Sequence, residues 1–338
     1  MKYVNLRLWP QALAVAGMMS SLSAVTAFGA AGDNGQYFML EGLYLVKDDA
    51  DAIALTTSNG GGAFNLITSD VAELDDSGGL RITAQFDAFG HTWQASAFGV
   101  RFDDQQFLAT NLDFGGVGGN NTSTTYGEFS GTANSQQLHA LELSKEGDLW
   151  GAEANWVRHL AGPAEGIDLL IGVRYIHFGE DLSGVAYDEA NDFSGVDNGI
   201  DRFNIGVDND LVGLQVGLQG MWDLGSHVAV GGSIKGGLAA NFASRDRAFG
   251  SDNSNVFDYA NSIDDTGFAQ FVEVNPRIDL KLSENATITV AGTALWINET
   301  TRADSHFETV ANGADANIRD DDDELVYGAS IGLKLALN

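Results

Sequence analysis

Five consecutive acids, Asp320, Asp321, Asp322, Asp323 and Glu324, form the densest group of ligand-type side chains in the chain, and Asp48, Asp49 and Asp51 form a smaller one. Hard divalent cations such as calcium need several carboxylate oxygens at one point. Neither run has the Asp-x-Asx-x-Asx-Gly spacing of a calcium loop, and no Gly-rich nonapeptide repeat accompanies them. Both read first as solvated charge beside strand ends, with Asp320, Asp321, Asp322 and Asp323 as the metal candidates. The six histidines (His91, His139, His159, His177, His227 and His306) are scattered, each near a strand end or in a connection. His306 and Glu308 flank Phe307 and could form half a metal site. No Gly-x-Ser-x-Gly elbow or His-Glu-x-x-His pair occurs. The glycines of 115–119 have no strand-to-helix context or following Lys-Ser/Thr to make a phosphate cradle. No nucleophile–base–orienter pattern emerges, so neither catalysis nor a cofactor is expected.

The composition narrows the class further. The chain has 338 residues, no cysteine, three prolines, 42 glycines and a formal net charge of -30. Without cysteine there is no disulfide, thiolate nucleophile or Cys-ligated metal. Such acidity repels phosphate backbones, which argues against nucleic acid as a partner. The 44% hydrophobic content is too high for a disordered acidic chain. Lys2 and Arg7 precede an apolar, small-residue stretch from Leu8 to Val25, and Ala27, Gly29, Ala30 and Ala31 offer cleavage positions. This pattern predicts a signal peptide over 1–30, leaving 31–338 as the folded domain. Its removal takes away two bases, so the mature charge is 15 - 47 = -32. No later run of 18 apolar residues could form a membrane helix.

Period-2 alternation dominates from Gln36 onward. Val212, Leu214, Val216, Leu218, Gly220 and Trp222 share one face, while Gly213, Gln215, Gly217, Gln219 and Asp223 share the other. The same pattern predicts ten strands, at 36–47, 79–88, 91–102, 138–159, 167–182, 204–224, 227–243, 268–283, 286–301 and 325–337. The third connection in the list, before 138–159, and every other one from 48–78 onward are long and polar (103–137, 183–203, 244–267, 302–324), while those between are short. Long loops on one rim, with short turns and both termini on the other, define an up-and-down antiparallel transmembrane β-barrel, all-β in class. Eight to twelve strands fit, since 53–67 could hold an extra hairpin. The 138–159 strand slips in register near Gly147, which suggests a bulge. Pro276 interrupts 268–283, where a second bulge is expected.

The registers sort the side chains. Glu41, Asp87, Glu153, Glu180, Asp223, Glu273 and Asp279 face inward with Arg81, Arg174, Lys235, Arg277, Lys281 and Lys334, and Gln215 joins them as a lumen-lining candidate. Seven acids against six bases leave the interior nearly neutral, so the acidic excess falls to the loops. Wide aqueous channels need about 16 strands, so a ring of about ten predicts a narrow or plugged lumen crossed by ion pairs. Trp93, Trp150, Trp156, Tyr175, Trp222, Trp296 and Tyr327 fall on outward registers and are girdle candidates for the membrane interfaces.

Several stretches together resemble a β-barrel porin family of some Gram-negative outer membranes. They are FMLEGLYLVK at 38–47, GGLRITAQFD at 78–87, WQASAFGVRF at 93–102, LWGAEANWVR at 149–158, LLIGVRYIHFGEDLS at 169–183 and DNDLVGLQVGLQ at 208–219. The similarity covers most of 36–245, and Arg174, Glu180, Asn209 and Gln215 are its matched pattern residues. It implies an outer-membrane barrel with a pore assignment and no established substrate. The chain departs from the usual aromatic end of such barrels by finishing Leu335, Ala336, Leu337, Asn338.

These readings lead to a porin-like barrel passing small solutes by passive diffusion through a narrow lumen, with cation preference at its mouth. The alternative is a structural or surface-binding barrel whose acidic loops meet divalent cations or partners. A barrel enzyme acting on lipid or peptide ranks third. Outer-membrane lipid is the expected surrounding.

Overall fold

The computed structural model describes residues 35–48, 54–56, 67–68, 77–110, 140–160, 166–187, 200–250, 259–303, 306 and 322–337. The described chain is all-β. Twelve strands follow in order: β1 (Tyr37–Asp48), β2 (Ala54–Thr56), β3 (Ile67–Thr68), β4 (Ser77–Ala88), β5 (His91–Thr110), β6 (Ala140–His159), β7 (Ile167–Tyr187), β8 (Ile200–Asp223), β9 (Val228–Gly250), β10 (Tyr259–Lys281), β11 (Ala286–Thr300) and β12 (Asp322–Ala336). Ten of them close an antiparallel barrel, each pairing with its neighbours in sequence, and β1 seals the ring against β12. The remaining two, β2 and β3, pair only with each other, so the hairpin suspected at 53–67 exists but adds nothing to the ring. Closure leaves the ring itself without an edge strand.

The connections sort onto two rims as the alternation in loop length predicts. Phe89 and Gly90 turn β4 into β5 with positive φ at both positions (56° and 75°), the two-residue geometry whose twist suits a hairpin. The first and last strands meet on this turn side, where Tyr37 pairs with Ala336.

Three details differ from expectation. First, several strands run further on the connection side than predicted, β5 to Thr110, β7 to Tyr187, β9 to Gly250 and β10 back to Tyr259. In β9 and β10 the outward residues of these extensions include Ser244, Asp246, Asp264 and Thr266, so the apolar stripe that marks the predicted strands stops before the pairing does. Second, the register slip opposite Gly147 belongs to the neighbouring strand: Phe102 pairs with Gly147 and Gln105 with Lys145, so β5 carries the extra residue and Ala140–His159 runs as one continuous strand against β7. Third, Pro276 makes no bulge. The β9 register runs through it unbroken, with Pro276 opposite Gly232.

Glycines on both neighbouring strands explain how Pro276 is accommodated. A side chain at Gly232 (φ +155°) would place its Cβ 2.3 Å from the Asn275 carbonyl oxygen, and one at Gly292 would lie 3.1 Å from the Pro276 ring. Proline withholds a ladder donor; removing the side chains on either side lets the strands keep their spacing around its ring.

Candidate functional site: the filled interior

Inward positions divide into three layers. The middle one is apolar. Leu43, Leu45, Val100, Phe102, Leu149, Ile176, Phe178, Leu211, Ala239, Ala269, Phe271, Leu295, Ile297 and Val326 form one buried cluster, to which every barrel strand except β4 contributes. A ring of this size has an interior about wide enough for side chains to fill. Gly237 opens room for one of its three phenylalanines, since a Cβ there would meet the Phe271 ring at 2.2 Å. The cluster is a septum across the lumen.

On the turn side of the septum lies a network of ion pairs. Arg174 pairs with Glu273 and stands 3.8 Å from Glu153, while Lys235 reaches Glu153 at 2.7 Å and Glu273 at 3.6 Å. Gln215 donates to Glu153 (2.9 Å) and to Asn155 (2.7 Å), and Asn275 donates to Glu273 (2.6 Å). Closer to the turns, Arg277 forks onto Asp279 (2.7 and 3.0 Å) and Lys334 meets the same carboxylate at 2.9 Å. At the rim, Lys281 pairs with Asp223 at 2.7 Å in the open, and Asp87 accepts from Thr92 at 2.7 Å. The Arg174 guanidinium also sits over the Phe271 ring, 5.2 Å from its centroid, joining this network to the septum. Side chains here leave a cavity of about 350 Å³ that reaches the turn-side rim at Gly166 and Asp168.

In the layer on the connection side, the sequence reading named only Glu180 as inward. Lys47 bridges Glu180 and Glu324 (3.3 Å to the latter), Lys145 approaches Glu180 at 3.7 Å, and Arg302 approaches Glu324 at 3.6 Å. All five side chains are essentially inaccessible. Arg245 and Arg247 are buried in the same half, so its interior charge is richer in bases than the near balance expected from the strand registers. Lys47 was legible in principle, because it continues the inward series of Leu43 and Leu45. Lys145 lay beside the supposed slip, and Glu324 lay one residue outside its predicted strand.

This layer is closed by chain leaving β11. The β11–β12 register shifts between Ile297 and Thr300, and Glu299 has a positive φ of 54°. Such a bulge re-aims the strand, and here it turns the backbone into the lumen. Thr301, Arg302, Ala303 and His306 are all buried. The start of the 302–324 connection, expected as an extracellular loop, is therefore an internal plug. Asn209 exchanges two hydrogen bonds with the Thr301 backbone, and the Ala303 amide donates to Glu180 at 3.0 Å. Asn241 reaches the Glu299 carbonyl at 3.0 Å. His306 contacts the Thr301 hydroxyl at 2.7 Å and Arg245 at 3.2 Å.

Outward positions carry the predicted aromatics. Trp93, Trp156 and Trp222 stand toward the turn side, with Trp93 directly opposite Trp156. Trp150, Tyr175, Trp296 and Tyr327 stand toward the connection side, where Trp150 packs against Tyr175 at 4.8 Å between centroids. Beyond them His177 touches Asp210 (2.9 Å), with Asp148 and Asp208 at 3.6 and 3.8 Å. His177 thus sits within β7, and not near a strand end as its sequence position suggested, because β7 runs on to Tyr187. Among the described residues no group of three or more His, Asp or Glu side chains has the arrangement to hold a metal ion. Of the metal candidates, Asp320 and Asp321 lie outside the described residues. Asp322 opens β12, where its carbonyl accepts from the Thr300 hydroxyl at 2.9 Å, and Asp323 is exposed. His139, Phe307, Glu308 and the 115–119 glycines also lie outside them, as do Asp49 and Asp51.

No family model matches the chain, so the porin-family likeness remains one of local motifs. No curated protein matches it either. Solved structures with an overlapping course include the outer-membrane protease OmpT of Escherichia coli, at 10% identity and a TM-score of 0.42, covering 92% of this chain and 99% of that one. The toluene transporter TodX of P. putida aligns at 9% identity and a TM-score of 0.38, over 91% of each chain. The toluene transporter TbuX of Ralstonia pickettii aligns at 8% identity and a TM-score of 0.28, over 90% of each.

Proposed function

We propose that the chain is a Gram-negative outer-membrane barrel that is closed in this conformation and serves as a wall-spanning scaffold for its acidic connections. The observation that carries this reading is the septum: Phe178 and Phe271 are each 1% exposed in the middle of the lumen, with buried ion pairs on both sides. A solute path would have to cross that layer.

The outer wall supports a membrane setting. Leu214 is 71% exposed and Ile331 62%, within outward rows that run apolar along β8 and β12. Exposed apolar surface on this scale marks an interaction surface. From Val212 to Trp222 the β8 row spans about 33 Å along the strand at ~3.3 Å per residue. At the roughly 40° tilt of such barrels that is about 25 Å of height, the thickness of their apolar band. The two aromatic groups flank this band as interface girdles would. In this reading residues 1–30 direct export, lipid covers the band, and the acidic connections meet divalent cations or envelope partners outside the cell, without catalysis.

Passive diffusion of small solutes is the second reading. The turn-side cavity favours it, since half of a polar path already exists. It requires the septum and the plug to move. Liposome swelling separates the two: proteoliposomes in small sugars or amino acids keep their volume if the barrel is closed, and swell if it is a diffusion pore.

A further inference from the structure

The turn-side cavity ends blindly against the septum, and a blind polar chamber is a binding site before it is a path. Its charges are not equally satisfied. Glu153, Glu273 and Asp279 each face two or more bases. Glu41 does not share in this, and Arg81 joins only at its margin, through Glu273. They are directly paired register positions on β1 and β4, both inward and both lining the cavity. Yet they form no direct ion pair with each other. Glu41 is 2% exposed and accepts one hydrogen bond, from the Ser330 hydroxyl at 3.0 Å; among the described residues no Lys or Arg nitrogen lies within 4.0 Å of it. Arg81 has one long hydrogen bond to Asn275 (3.5 Å) and stands 4.0 Å from Glu273, with its guanidinium 5.7 Å from the Phe98 ring centroid.

A buried carboxylate held by one hydroxyl, beside a guanidinium whose nearest acid stands 4.0 Å away, is unfavourable unless something completes both. The complement is one small molecule carrying both charges. We propose that the chamber binds a small zwitterion, an amine and a carboxylate joined by a short aliphatic stretch. Its carboxylate is received by Arg81, whose planar fork suits that group, and its ammonium by Glu41. A volume of about 350 Å³ is at the small end of ligand pockets, which limits the guest to this size class. Met39 and Phe98 supply apolar wall for the stretch between the charges. The inference rests on the closed-barrel reading, because a through-path would make the chamber a waystation.

The test is titration calorimetry on the full, detergent-folded chain. Alanine and 4-aminobutyrate are the probes, with butyrate and butylamine as singly charged controls. At least one zwitterion binds about tenfold or more tightly than either control, the worth of one added charge-assisted contact. In Glu41→Gln that zwitterion falls to the level of butyrate, and in Arg81→Gln to the level of butylamine. Heat-dependent gel mobility checks that each variant is folded; Glu41→Gln keeps an acceptor for Ser330. Absence of binding by both zwitterions overturns the inference, and so does equal binding of butyrate or butylamine, or zwitterion binding unchanged in the two variants. A barrel that conducts yet binds as described overturns closure alone. A silent barrel that binds neither probe overturns the zwitterion site alone.

Discussion

The Asn209 side chain stands in for a strand partner to Thr301: its Nδ2 donates to the Thr301 carbonyl at 2.9 Å and its Oδ1 accepts from the Thr301 amide at 2.9 Å. Both residues are fully buried, 92 positions apart in sequence. The backbone that dives into the lumen after β11 would otherwise carry an unpaired donor and acceptor where water does not reach. A buried unpaired group costs about 1–3 kcal/mol. Asn209→Ala removes both contacts and is expected to destabilise the plug by about 2–4 kcal/mol. The check is protease sensitivity near Thr301 in the folded, membrane-inserted protein, which rises in the variant while the barrel keeps its gel mobility.

Lys47 is the only ammonium joining Glu180 to Glu324 among the described residues, and all three are buried. Removing one partner of a buried ionic group leaves charge without compensation, at about 3–5 kcal/mol. Lys47→Met is expected to lower unfolding stability by that amount. Urea unfolding in detergent measures it, and the double variant Lys47→Met with Glu324→Gln should recover part of the loss.

The septum is packed, so truncating it opens space. Phe271→Ala is expected to cost about 3–5 kcal/mol, the usual range for a large buried ring. Phe271→Leu should cost less, and comparing their thermal midpoints by circular dichroism separates lost volume from lost aromatic contact with Arg174.

Gly232 gives a prediction for the wall itself. Its φ of +155° and the 2.3 Å approach of a would-be Cβ to the Asn275 carbonyl leave no place for a side chain opposite Pro276. Gly232→Ala is expected to destabilise by about 1–3 kcal/mol. Pro276→Val in that background should not restore stability, since the clash is with Asn275; a full rescue in folding yield would contradict this account.

How much of this was legible follows from where the apolar stripe runs. Wherever one face of a strand is apolar and outward, as at Val212, Leu214 and Val216, alternation marked the face and the apolar stretch closely. Where both faces turned polar, as at Ser244, Arg245 and Asp246, the pairing continued without a pattern to mark it. The inward set was readable by parity, including Arg174, Glu273 and Lys235, but parity carries no information on which inward groups meet. The plug was invisible for another reason. Arg302 and Ala303 have the composition of a surface connection and Thr301 reads as a strand end, while the contacts of Asn209 with Thr301 and of Glu180 with Ala303 hold the segment inside. Asn209 and Glu180 stood out as pattern residues without a role; contact with the plug supplies one.

A lumen closed by the septum and the plug should block ion flow, which electrical recording reads at once. Purified, refolded protein inserted into planar bilayers is expected to leave the membrane silent at moderate voltages, and Asn209→Ala should raise the frequency of brief openings above that baseline. Steady, discrete conductance steps from the unmodified protein would contradict the account.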